Sequence, residues 1–114
     1  MQIQVQTDDA VVVYALNACR AAQELYAQLP LTLEVENFST NEKIFYPPNA
    51  LSTEGAPLAQ PQKGTLAYYA PWGDVVLFYA PAGQGNGLYA LGEVVSGENE
   101  IEALTGAIEI TALH

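Results

Sequence analysis

The chain is short of positive charge, cysteine, histidine and long apolar runs, and each shortage removes a class of function. Its 114 residues hold three basic side chains, Arg20, Lys43 and Lys63, against thirteen acidic ones, for a net charge of −10. A field of that sign repels phosphate backbones and anionic headgroups, so neither nucleic acid nor a membrane surface is expected as a partner. No apolar stretch approaches the ~18 residues of a spanning helix, and no basic leader precedes a cleavable apolar segment, which points to a soluble, cytoplasmic protein. Cys19 stands alone: it forms no internal disulfide, has no CxxC partner, and fits a reducing compartment. It also has no interior histidine to serve as a base, so nucleophilic catalysis finds no footing. His114, at the end of the chain, has no partner ligand, and Glu34, Glu36 and Glu42 lack the dense spacing of an oxygen-ligand loop. Neither a metal nor a cofactor is expected. The Gly83-Gln84-Gly85-Asn86-Gly87 stretch lacks the lysine and following helix of a phosphate loop and reads as a flexible turn.

What remains is a globular balance, half apolar and 14% charged, in a length that suits one domain. Gln2, Gln4 and Gln6 alternate with Ile3, Val5 and Thr7, a period of two that predicts a strand with one wet face. Asp8-Asp9 supplies a turn. Val11 to Leu16 is apolar almost throughout and reads as a second strand, buried on both faces and paired with the first. Asn17 is a helix cap in type, and Ala18 to Gln28 contains only good or neutral helix formers. Ala18, Ala21, Ala22, Leu25 and Leu29 fall on a single stripe, and Pro30 ends the helix.

Beyond Pro30 the pattern is strands and turns. Leu31, Leu33 and Val35 alternate with Thr32, Glu34 and Glu36. A turn follows over Asn37 to Asn41, then a short strand from Lys43 to Tyr46. The segment from Pro47 to Gly64 has neither period and many prolines and glycines, and a loop of that length is often functional or mobile. Thr65 to Ala70 and Asp74 to Tyr79 are strands around a Pro71-Trp72-Gly73 corner. Pro81 to Gly87 is a loop, Leu88 to Val95 a strand, Asn99 to Leu104 a single helical turn, and Ala107 to Ala112 the last strand. About eight strands and one helix result, with no internal repeat or linker. Strands of this number suggest a sandwich or a barrel, and periodicity does not choose between them.

Specific segments do choose: LPLTL at Leu29 to Leu33, NEKIFYPP at Asn41 to Pro48, LSTEGAP at Leu51 to Pro57, LAYYAPWGD at Leu66 to Asp74, and GLYALGEVVSG at Gly87 to Gly97. In that order and spacing the chain resembles a family of small bacterial and archaeal cyclophilin-like proteins. The resemblance runs from Leu16 onward and rests most on the proline-tryptophan-glycine corner. It implies a closed antiparallel β-barrel with the helix at about 18–28 closing an end, a reduced form of the prolyl isomerase barrel. It does not carry the activity, because fold and function separate readily. The isomerases use an arginine fork to bond the substrate carbonyl beside an apolar proline pocket. Here Arg20 falls on the helix, where it reads as a surface residue. Lys43, on the short strand from Lys43 to Tyr46, offers a donor without the planar fork.

The remaining signal is aromatic. Tyr46, Tyr68, Tyr69, Trp72, Phe78, Tyr79 and Tyr89 fall in three neighbouring segments, and aromatic walls with a few polar tips are a common recognition surface. Adjacent strand residues point to opposite faces, so Tyr68 and Tyr69 divide between core and groove. Trp72 reads either as a lid over the barrel mouth or as a plug in its end. The candidate binding set is Tyr46, Tyr69, Trp72 and Tyr89, with Lys43 beside them, facing a small molecule or an extended peptide. The competing readings are a weak prolyl isomerase using Lys43 as its donor, and self-assembly into a homo-oligomer through the corner at Trp72 and the 81–87 loop.

Overall fold

Eight antiparallel strands close on themselves in a computed structural model that describes residues 1–113, so His114 and its reading lie outside the described residues. The strands are β1 (Gln2–Gln6), β2 (Val11–Leu16), β3 (Leu31–Phe38), β4 (Glu42–Phe45), β5 (Thr65–Tyr69), β6 (Asp74–Phe78), β7 (Leu88–Ser96) and β8 (Gly106–Leu113). Around the barrel they run β1-β2-β7-β5-β6-β4-β3-β8, with β8 returning to β1. Closure leaves no sheet edge open, which removes the pairing hazard that apolar strands otherwise carry. The close fit of β2 to β7 depends on Gly92, where a Cβ would overlap the Ala15 carbonyl.

Alternation sorts the side chains. Ile3, Val5, Val12, Tyr14, Phe45, Leu66, Tyr68, Val75, Leu77, Leu91, Ile108 and Ile110 fill the interior. Helix α1 (Arg20–Ala27) adds Ala21, Ala22 and Leu25 to the same core and stops one end. A 3-10 helix, Glu98–Ala103, packs beside β2 and adds Ile101, and Leu104 follows it into the core. β2 alternates rather than being buried on both faces, because its outward residues Val11, Val13 and Ala15 meet solvent at least in part.

The helix begins two residues later than its composition predicts, with Ala18 exposed and Cys19 at its cap position. Asn17 does not cap it. The Asn17 side chain instead accepts from the Cys19 N–H (3.1 Å) and donates to the Ala90 carbonyl (2.8 Å), tying the turn to β7. Arg20 lies on the surface, 3.3 Å from Glu24. β3 runs on to Phe38, so the turn to β4 is shorter than expected. The long segment before β5 is pinned along its length. Gln28 exchanges two hydrogen bonds with the Asn49 backbone, Glu24 Oε1 accepts from the Ser52 N–H (2.7 Å), and the Tyr68 hydroxyl accepts from the Leu51 N–H (3.1 Å). Farther on, the Ala59 N–H donates to the Leu88 carbonyl and the Ala90 N–H to the Pro57 carbonyl, which lays the segment against the start of β7.

Candidate ligand-binding groove

β6 reads Asp74-Val75-Val76-Leu77-Phe78, and every residue in it is buried. Val75 and Leu77 face the interior. Asp74, Val76 and Phe78 face outward, where an ordinary barrel strand would meet water. The outer face is covered because Ile44, Ala59, Ala67, Val76, Phe78 and Leu88 form a second apolar cluster, with Tyr69, Ala82 and Ala90 packed on it. Two loops complete the cover: Ala59 comes from the pinned segment before β5, and Ala82 from the glycine-rich loop before β7.

The cover is incomplete, and the gap is a trough of about 250 Å³ on the outer wall of the barrel. Its floor is Val76, Phe78 and Leu88. Gly83 and Gly85 form one side, and Phe38, Tyr69 and Trp72 form the aromatic side. Trp72 projects from the β5–β6 corner, where Gly73 takes a φ of 71° that only glycine adopts freely. The indole is 51% exposed and meets Phe38 edge to face at 5.1 Å between ring centroids and Tyr69 at 5.7 Å. It lies on the outer surface rather than plugging an end of the core.

Two carboxylates, Asp74 and Glu42, line the same trough. Asp74 opens β6 opposite Tyr69 and is 1% exposed, and its Oδ1 has no hydrogen-bond partner among the described residues. Burial raises its pKa above the ordinary carboxylate value, an effect reduced by a hydrogen bond from its own backbone N–H. Glu42 is half-buried on β4, and its pKa is raised first by burial and then by the charge on Asp74. No basic side chain among the described residues lines the trough. Among the described residues, no three histidine, cysteine or acidic side chains gather to hold a metal ion.

The residues singled out in the sequence do not all meet here. Tyr69 and Trp72 line the trough and pack on each other. Tyr68, on the opposite face of β5, is in the core. Tyr46, one residue past β4, is 48% exposed and does not line it. Tyr89 pairs with Tyr68 in the β5–β7 register, the face of the strand away from the trough. Lys43 pairs with Leu77 and so shares the interior-facing side of β4, 8% exposed, its Nζ 6.0 Å from the centre of the Tyr79 ring. Glu42, Asp74, Phe38 and the glycine-rich loop are the trough residues that the aromatic pattern does not reach. The signal for Asp74 lies in β6 itself: an acid in alternation with Val76 and Phe78 on a strand with no wet face.

The chain has counterparts of this fold among known proteins. It belongs to the Cyclophilin-like family, whose model matches residues 5–112. Its fold is also that of a hypothetical protein from Archaeoglobus fulgidus, solved in solution, with a TM-score of 0.79 over 99% of this chain and 95% of that one. The two are 15% identical, so the likeness speaks for the fold alone. No curated protein sequence matches the chain.

Proposed function

We propose that this cyclophilin-like domain is a binding module that takes a small organic molecule in the outer trough, with Trp72 and Tyr69 as its principal contacts. The observation that carries the reading is the half-exposed Trp72 held edge to face between Phe38 and Tyr69 over an apolar floor. An exposed aromatic ring bordering a concavity with an apolar floor is a common contact surface for small molecules. A volume of about 250 Å³ falls just below the ~300–1,000 Å³ of drug-sized pockets. It suits a molecule of one ring or a single side chain of an extended peptide.

Trp72 is the only tryptophan in the chain, so its emission reports on the trough directly. A fragment screen read by Trp72 fluorescence and by melting temperature is expected to give ligands whose binding Trp72→Ala abolishes. Lys43→Ala, on the other face of β4, is expected to leave their affinity unchanged. A screen in which no fragment alters either signal overturns the reading, and so does one whose ligands bind Trp72→Ala as well as the unaltered protein.

A further inference from the structure

We propose that the trough selects small organic cations, a primary ammonium or guanidinium on a ring or short alkyl body, with Asp74 as the anchoring acceptor. The proposal rests on the reading of the trough as a binding site and names the chemistry of its ligand. Asp74 is a buried carboxylate that lines the trough with one oxygen unpartnered. An unsatisfied buried acceptor is costly, and the group it lacks is a hydrogen-bond donor.

The surroundings choose the kind of donor. Glu42 supplies a second carboxylate to the same trough, no basic side chain among the described residues lines it to answer either, and Lys43 is turned to the opposite face of β4. A neutral donor would bond Asp74 yet leave its charge uncompensated, whereas a cation answers both needs. A metal ion is a poor fit, since two carboxylates in an apolar trough fall short of the six or more oxygens that a hard cation gathers. An organic cation brings its own apolar body for Val76 and Phe78. The faces of Trp72 and Tyr69 then attract its charge a second time. The net charge of −10 favours the approach of any cation.

Three probes of similar shape separate these contributions: phenethylammonium, phenethyl alcohol and phenylacetate, titrated against the full chain at neutral pH and low salt with Trp72 emission as the readout. The ammonium is expected to bind at least about tenfold more tightly than the alcohol, as a charge-assisted hydrogen bond warrants, and phenylacetate not to bind. Asp74→Asn is expected to erase the advantage of the ammonium while leaving the alcohol's affinity in place. Should that variant fail to fold, Glu42→Gln is expected to lower ammonium affinity severalfold and spare the alcohol. Glu109→Gln, in the separate acidic cleft with Asp8 and Asp9, changes the net charge equally and is expected to alter neither. Equal binding of ammonium and alcohol overturns the choice of a cation and leaves the trough a binding site. Loss of ammonium affinity in Glu109→Gln as large as in Glu42→Gln also overturns it, by showing attraction to the overall charge. If no compound of any charge binds, the underlying reading fails as well.

Discussion

Replacing Asp74 with asparagine is expected to make the protein more stable at neutral pH. The folded state holds this carboxyl in a buried position with one oxygen unpartnered, and its pKa is raised above the ~3.9 of an unfolded aspartate. A group of that kind binds its proton more tightly in the folded state. The contribution of Asp74 to stability is therefore fullest below about pH 3.9, falls as the pH rises through the raised folded value, and levels off above it. An unsatisfied neutral group costs about 1–3 kcal/mol on burial and a charged one more. The isosteric amide, which carries no charge, should accordingly recover about 1–2 kcal/mol at pH 7 and nothing at pH 3. With 114 residues and about 2.1 cal/mol/K of unfolding entropy per residue, each kcal/mol moves the melting temperature by about 4 °C. Calorimetric melts of both proteins from pH 3 to pH 8 should then show coincident curves in acid that separate to about 4–8 °C at neutrality. An asparagine variant that melts no higher at pH 7, or a gap that does not change with pH, refutes the reasoning. A carboxylate kept where it costs stability is the pattern of a site held ready for a ligand.

Other consequences follow from the barrel itself. Leu66→Ala removes a fully buried interior side chain and should cost about 2–5 kcal/mol in denaturant unfolding; a loss under about 1 kcal/mol would mean that the interior repacks freely. Gly92→Ala forces a methyl group against the Ala15 carbonyl. It should destabilise by about 3 kcal/mol or prevent folding, and a neutral effect would contradict the close approach of β2 and β7. The Glu24 pKa is lowered, chiefly by the hydrogen bond from the Ser52 N–H. Its contribution is thus present above the unfolded glutamate value of ~4.3 and lost as pH falls through the lower folded value. Glu24→Gln should accelerate amide exchange at Ser52, and the wild-type amide, corrected for intrinsic rate, should lose protection in acid; identical protection in both proteins removes that anchor.

The sequence revealed the strands more readily than the relation between them. Period-two alternation located Ile3 and Val5, Leu31 to Val35 and Ile108 and Ile110, and helical spacing located Ala21, Ala22 and Leu25, because each signal is local. Closure is not local: it requires β8 to find β1 across the whole chain, and the resemblance rather than the periodicity anticipated it. The hydrogen bonds that pin the segment before β5 join Glu24 to Ser52 and Tyr68 to Leu51, pairs that no short-range pattern announces. Asn17 had the chemistry of a cap, but a partner on β7 competed successfully for its amide.

The trough was half legible. Alternation separates Tyr68 from Tyr69, but it does not say which outer face the loops will cover. Asp74 reads as the first residue of its strand, with nothing in the local pattern to say that its outward face is covered. Its burial arises only when Trp72, the glycine-rich loop and the outer faces of β4 and β6 come together. Phe38 enters for a similar reason, since β3 extends past the point where its alternation weakens.

A ligand seated in the proposed trough would lie on the outer wall of the barrel between Trp72 and Phe78. Its position can be read from backbone and indole N–H shifts followed by NMR while the tightest fragment is titrated. The largest changes are expected at the Trp72 indole and at the amides of Val76, Ala82 and Leu88. Changes centred on the cleft at Asp8, Asp9 and Thr105, or on the residues around Lys43 and Tyr79, would contradict that placement.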